Sequence, residues 1–313
     1  MTELSNPYQD EHGKPRIRTS LTAFLDILGF AEAIRKAASE GRQQAHLDIL
    51  KAALDEAHNL FREDSALYER FSSVRVAPYL IKVFTDNIVL GIPIHSDGES
   101  ELGHMLRLVG NYQFTLVQHG FFVRGGITVG DIYMDSDTAY GKALLDAYVA
   151  ESTLARDPRV VLDSKAMQLV HQHLLYYDRV STAPHNLDLL LDSDGQMFVN
   201  YLMIPLDGDR PDEAYLGLLQ RHRQVIMDKL QEFVAYPQYW SKYMWSGIYH
   251  NVICADFLKE PAYLIPENVL RQPAQKLDQA YKKVRGSLFR GGFKVADFKD
   301  ESGVRRLLQN EGG

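Results

Sequence analysis

Cysteine occurs once in the 313 residues, at Cys254, which excludes an intrachain disulfide framework. Its setting, Asn251-Val252-Ile253-Cys254-Ala255-Asp256-Phe257, marks a small core residue rather than a nucleophile. Nowhere do about 18 apolar residues run without interruption, so no membrane span is expected. The opening Met1-Thr2-Glu3-Leu4-Ser5-Asn6-Pro7 lacks the basic patch and apolar stretch of a secretion signal, and a cytoplasmic protein is the expectation. A surplus of positive charge is also missing: 34 Lys and Arg face 41 Asp and Glu, for a net charge of −7. Counterion release on a polyanion needs the opposite balance, so neither nucleic acid nor an anionic membrane is an expected partner. The one basic stretch, Lys282-Lys283-Val284-Arg285-Gly286-Ser287-Leu288-Phe289-Arg290, is short and reads as a solvated face. Repeats and low-complexity tracts are absent.

What is present, 45% hydrophobic residues, suffices for one large core or a catalytic domain with an appendage. The apolar run Leu21-Thr22-Ala23-Phe24-Leu25-Asp26-Ile27-Leu28 suits a buried strand that Gly29 ends. Over 30–63, Leu47, Leu50, Leu54 and Phe61 recur at helical spacing, with Gly41 a possible interruption. Two β-rich runs, 76–84 and 87–94, flank Thr85-Asp86 as in a hairpin. A helix over 99–118 and a strand over 121–133 complete the order β-α-β-β-α-β, the split βαβ or ferredoxin-like arrangement. A helix from Gly141 to about Leu154, a strand at 159–162 and helices over 212–235 and 238–258 follow. The expected class is α+β, with a 1–17 extension, a catalytic domain over 18–205 and a helical extension over 206–313. The rings Tyr239, Trp240, Tyr243, Trp245 and Tyr249 suit packing better than base stacking.

In that arrangement the third strand lies antiparallel between the first two, which brings Asp26 and Asp86 to one edge of the sheet. An aspartate in an apolar strand is costly to bury unless a cation or several donors satisfy it. Two converging carboxylates therefore suggest Mg²⁺ or Mn²⁺, with the Ile27 carbonyl as an extra ligand and a triphosphate supplying the rest. The helix after Gly29 would point free N–H groups and its positive dipole end at the same edge. Arg124 has a plainer reading, pairing with a carboxylate such as Asp131 or Glu151. His171 and His173 would share a face on a strand, but no third ligand stands near, and they read as surface histidines. Gly125-Gly126 and Gly291-Gly292 are too unspecific for phosphate loops.

These residues resemble class III nucleotidyl cyclases, whose first strand ends in Phe-x-Asp-Ile-x-Gly-Phe and whose hairpin carries Lys-x-x-Gly-Asp. Phe24-Leu25-Asp26-Ile27-Leu28-Gly29-Phe30 fills the first pattern, and Lys82-Val83-Phe84-Thr85-Asp86 the second with Thr for Gly. Arg124-Gly125-Gly126-Ile127-Thr128-Val129-Gly130 looks like the family's fourth strand, and Tyr140-Gly141 stands where Trp-Gly opens the next helix. The resemblance covers 20–155, and the run Ala139-Tyr140-Gly141-Lys142-Ala143-Leu144-Leu145-Asp146 looks closest to the bacterial Pycsar pyrimidine cyclases, which act in antiphage defence.

The resemblance implies two metal ions on Asp26, Ile27 and Asp86, phosphate contacts from Leu28, Gly29 and Phe30, and nucleotide binding by Phe24 and Arg124 as well. It implies base selection by Lys82, with Thr138 as a second polar contact, in a head-to-tail homodimer whose product acts on a separate cyclic-nucleotide-gated effector. UTP is favoured over CTP by analogy alone, adenine stays open, and Tyr79 or Tyr148 are candidates to fill the space of a purine. Counting from Gly141, the family's transition-state Asn and Arg fall on Leu145 and Val149, which donate no hydrogen bond to phosphate. Either another cation, Lys142 or Arg124, replaces them, or the helix register and pocket differ. Rival readings are a polymerase-palm or diguanylate-cyclase relative and a non-catalytic nucleotide sensor.

Overall fold

Leu21, Ala23, Leu25 and Ile27 of the first strand, β1 (Arg18–Ile27), all lie in the core, while the intervening Thr22, Phe24 and Asp26 face the other way, the period-two pattern of a strand. The computed structural model describes residues 4–73, 75–206 and 211–270, which fall in one compact unit. The basic stretch at 282–290 and Gly291-Gly292 lie outside them. Gly29, at φ 73°, opens α1 (Phe30–Ser39). Gly41, at φ 69°, separates it from α2 (Gln43–Phe71), so the helical region expected over 30–63 is two helices. β2 (Leu80–Phe84) and β3 (Asn87–Pro93) form the hairpin. β2 starts later than the apolar run because Pro78, lacking an N–H, cannot donate to a ladder.

α3 (Glu99–Gln118), β4 (Val123–Met134), the short β5 (Ala139–Tyr140) and α4 (Lys142–Leu154) follow. Then come β6 (Val160–Leu162), α5 (Ser164–Leu174), α6 (His185–Asp188), β7 (Leu189–Leu191) and β8 (Met197–Val199). The last helices are α7 (Glu213–Glu232), α8 (Pro237–Val252) and α9 (Glu267–Leu270). The strands form one mixed sheet in the order β2-β3-β1-β4-β6-β8-β7, with β5 on β4. β3 lies between β1 and β2, antiparallel to both; β4 is antiparallel to β1 and parallel to β6.

Helices α2 and α3 cover one face of the sheet through Leu50, Phe61, Leu102 and Met105. The other face carries α4 and the N-terminal Tyr8, which is fully buried and donates to Ser20 Oγ at 3.0 Å. Gly91 makes room for it, since a Cβ there would lie 2.6 Å from the Tyr8 hydroxyl. Helices α7 and α8 build a second core with Phe114, Phe122, Val161 and Phe198. The α8 rings pack there, Trp245 stacked on Tyr249 at 5.5 Å, and Cys254 is buried beside them.

Two polar features of this region escape the sequence reading. Arg159, fully buried, pairs with Asp192 and Asp194, and Asp192 also accepts from Trp245 Nε1 at 2.7 Å. His171 and His173 sit on α5, not on a strand, and residues two apart on a helix point in nearly opposite directions. His173 is accordingly buried, with Nε2 at 3.0 Å from the Asp97 carbonyl. Among the described residues no helix is long and apolar enough to cross a membrane.

Candidate functional site

Asp26 is the last outward-facing residue of β1, and because β1 is an interior strand it has neighbours on both sides. The register sets Asn87 of β3 opposite it on one side and Arg124 of β4 on the other. Cross-strand partners point to the same face. The hairpin turn delivers Asp86 to this end of the sheet, beside Asn87. Thr85, at the position where the resembled motif has Gly, takes φ 52°, a left-handed conformation that glycine adopts freely and a β-branched residue does not. Its hydroxyl donates to Asp86 Oδ1 at 2.7 Å, and Asn87 Nδ2 donates to the same oxygen at 3.2 Å. One Asp86 oxygen is thereby held by its neighbours.

The electrostatics follow from that crowding. Burial pushes the Asp26 carboxyl above the usual carboxylate range, Arg124 pulls it back, and the neighbouring Asp86 carboxylate pushes it up again. Arg124 donates to Asp26 Oδ2 from Nη2 at 3.1 Å and from Nε at 3.2 Å. Its Nε also lies 2.6 Å from Glu151 Oε1, an ionic contact without hydrogen-bond alignment. The pairing of Arg124 with Glu151 is one the sequence suggested; the pairing with Asp26 is one it did not.

A divalent cation fits this donor set in kind. Two carboxylates held close enough that Asp86 raises the proton affinity of Asp26, one with an oxygen committed to neutral donors, are relieved by a hard cation. The protein offers few ligands: among the described residues no cluster of three or more His, Cys, Asp or Glu side chains could hold a metal. Any ion here would take most of its shell from the Ile27 carbonyl, water and a phosphate-bearing ligand.

The remaining sequence candidates fall into two groups. Gly29 turns the chain into α1, whose first amides lie next to Asp26 in sequence. The Leu28 amide is not available for phosphate, because it donates to the Phe122 carbonyl at 2.8 Å. Phe24 meets the Tyr148 ring edge-on at 5.4 Å on the α4 face of the sheet, and Phe30 packs toward α2 and α3. Away from the carboxylates, Lys82 Nζ donates to the Ser136 carbonyl at 3.2 Å, in the loop where Thr138 N donates to Asp135 Oδ1. Lys82 and Thr138 thus meet at one loop. Tyr79 is buried, its hydroxyl donating to the Phe61 carbonyl at 2.7 Å, which removes it as a space-filler for a base. Lys142 is exposed and paired with Asp146 at 2.6 Å. Leu145 and Val149 are 63% and 53% exposed, so the α4 positions aligned with the family's donors are surface positions.

Two charged residues near Asp26 were not singled out as site residues. Glu151 is 3% exposed. Lys242 of α8 has its ammonium pulled below the usual lysine range, first by burial and then by Arg124, while Asp157, Glu151 and Asp26 oppose this. Its neighbour Tyr243 packs edge-on against Phe122 at 5.1 Å. A polar residue amid the aromatic run of α8 was the available signal.

No protein-family model matches the chain, and no curated protein does. Among solved structures it is similar to one described as a class III adenylyl cyclase-like ATP-binding protein from Pseudomonas aeruginosa, with 12% identity and a TM-score of 0.37. The similar region covers 54% of this chain and 39% of that one, so less than half of that protein's length is spanned.

Proposed function

We propose that this chain is a metal-dependent nucleotidyl cyclase that converts UTP to 3′,5′-cyclic UMP and pyrophosphate. The observation that carries the reading is the meeting of Asp26 and Asp86 at one edge of the sheet, on a β1 strand and a β2–β3 hairpin arranged in the order β2-β3-β1-β4. That strand order supports a ferredoxin-like core, and the four ordered motifs support a class III cyclase. Asp26, Asp86 and the Ile27 carbonyl would hold two Mg²⁺ or Mn²⁺ ions. When bound, such ions supply acidity toward the 3′-hydroxyl and charge compensation for the triphosphate.

The chain's own groups orient the substrate. The amides of Gly29 and Phe30, at the positive end of α1, suit the β- and γ-phosphates. Lys82, beside the loop of Thr138, suits a base carbonyl as hydrogen-bond donor. The substrate's 3′-oxygen, its proton released to water, bonds to its own α-phosphorus as the bond from that phosphorus to the bridging oxygen breaks and pyrophosphate leaves. Exposed Tyr140, Leu145, Tyr148 and Val149 around α4 support a second copy packing there, as a head-to-tail homodimer requires. UTP over CTP, the antiphage setting and a separate cyclic-nucleotide-gated effector rest on resemblance to the Pycsar cyclases.

A second reading, a nucleotide sensor without turnover, is favoured by Leu145 and Val149, which offer phosphate no hydrogen bond. Incubating the purified protein with all four triphosphates and Mn²⁺, and resolving the products, tests both. Cyclic UMP is expected. Cyclisation of ATP or GTP alone overturns the pyrimidine assignment, saturable binding without pyrophosphate release supports the sensor, and a linear or dinucleotide product supports the polymerase-palm relative.

A further inference from the structure

Glu151 is a buried carboxylate that contributes to no apolar cluster, and the fold goes to some length to seat it. Helix α4 lies directly on β4 because Gly126 has no side chain. A Cβ there would stand 2.4 Å from the Ala147 carbonyl oxygen, 2.6 Å from Ala150 Cβ and 2.8 Å from the Glu151 backbone nitrogen. Gly126 is two residues from Arg124 on the same face of β4, so this close seat fixes Glu151 over the Arg124 guanidinium, with 2.6 Å between Oε1 and Nε.

The charge inventory shows what the contact does. Arg124 touches Asp26 and Glu151 together. Asp26, Asp86 and Glu151 against Arg124 leave a net charge of −2 among these four groups, to which Lys242, favoured as a cation by Asp157, Glu151 and Asp26 together, adds the same charge in the wild type and in each variant. Were Glu151 uncharged, the whole of Arg124 would serve Asp26, and the net charge at the sheet edge would fall to −1. A buried ion pair is seldom retained for stability, since an apolar replacement of similar volume is often neutral or better.

We infer that Glu151 is the positioning residue of the carboxylate site: by sharing Arg124 with Asp26 it keeps the negative charge of Asp26 and Asp86 available to divalent cations. This rests on the metal-dependent reading above. Groups one shell removed from a metal change its affinity by about 10- to 100-fold, and Glu151 acts at that remove, through Arg124.

The test is calorimetric titration of the full-length chain with Mn²⁺, without nucleotide. Glu151→Gln is expected to weaken Mn²⁺ binding tenfold or more, because Arg124 then belongs to Asp26 alone. The double variant Arg124→Gln with Glu151→Gln removes one charge of each sign, restores −2 at the edge, and is expected to bind within tenfold of the wild type. Removing both members of an ion pair can also repair a fold that removing one disrupts, so melting temperatures are measured alongside, and an Mn²⁺ affinity that recovers without a matching recovery in melting temperature marks the charge role. Less than tenfold loss in Glu151→Gln overturns the inference, and so does tenfold or greater loss in the double variant. In the double variant Asp26 loses its guanidinium partner but keeps 18% of its side chain exposed to water, so the variant is expected to fold, and its result decides the matter even where Glu151→Gln does not. A wild-type chain that binds no Mn²⁺ either alone or with a triphosphate lacking the 3′-hydroxyl overturns the metal-dependent function itself; a binding wild type with an equally binding Glu151→Gln overturns only the role of Glu151.

Discussion

Asp26 and Arg124 face each other across the β1–β4 ladder, with Arg124 Nη2 3.1 Å from Asp26 Oδ2. The guanidinium makes a carboxylate tolerable in an apolar strand without silencing it, because Glu151 competes for the same cation. Replacing Asp26 by Asn keeps the shape and removes the charge that a metal would meet. Asp26→Asn is therefore expected to lower Mn²⁺-dependent turnover by at least about 100-fold, above the range for groups one shell removed, while the melting temperature moves little. A variant retaining full turnover would end the two-metal reading.

Thr85 carries a different compromise. Its φ of 52° costs a β-branched residue about 1–2 kcal/mol, and glycine's greater freedom in the unfolded chain gives back about 0.5–1. Thr85→Gly should then stabilise the fold by about 0.5–1 kcal/mol in urea unfolding. The same change removes the hydroxyl that donates to Asp86 Oδ1, so Mn²⁺ affinity should fall several-fold. Stability and affinity moving in opposite directions is the expected signature; a parallel change would mean that the hydroxyl does not orient Asp86.

Arg159 offers a test of the second core. Its side chain is fully buried, whereas Asp192 and Asp194 are 17% and 27% exposed. Removing both acids leaves an unpaired buried guanidinium, and the Asp192→Asn, Asp194→Asn double variant should lose about 3–5 kcal/mol. Arg159→Met should cost less, because the two aspartates can hydrate where they stand. Chemical denaturation of both variants gives the order; the reverse order would mean that the aspartates, not the arginine, carry the burial cost.

Much of this was legible in the sequence, and the boundary has physical causes. The alternation of β1 and the hairpin about Thr85-Asp86 are local patterns, and with the strand order they suffice to bring Asp26 and Asp86 together. The break at Gly41 was legible as well. The partners of Arg124 and Arg159 were not, since a pair such as Arg159 with Asp192 forms only when β6 and β8 become neighbours. His171 is exposed, as a surface histidine should be, but His173 is buried, because residues two apart on a helix face nearly opposite ways and the sequence alone does not show that 164–174 is a helix. Tyr8 gave no signal because it is one buried ring in an otherwise polar segment.

The last prediction concerns acid. Tyr201 donates its hydroxyl proton to His222 Nε2 at 3.0 Å, His222 Nδ1 meets His250 Nδ1 at 3.0 Å, and His250 Nε2 reaches the Tyr263 carbonyl at 3.1 Å. A carbonyl only accepts, so His250 carries its proton on Nε2, and His222 must donate from Nδ1. The chain is complete with both rings neutral, and a further proton has nowhere to go. Burial accordingly holds His250 down to about 4 and His222 well below its ordinary value. In the unfolded chain both titrate near 6.5. The unfolded state thus binds protons that the native state refuses, so the stability these rings confer is full above about pH 6.5 and is lost as the pH falls toward 4. Between pH 7 and pH 5 His250 alone should account for about 2 kcal/mol. Urea midpoints at pH 8, 6 and 5 should fall in that order, and the His222→Gln, His250→Gln double variant, less stable at pH 8, should show a shallower slope. A wild-type midpoint that does not move between pH 7 and 5 would mean that the two rings are already solvated in the native protein.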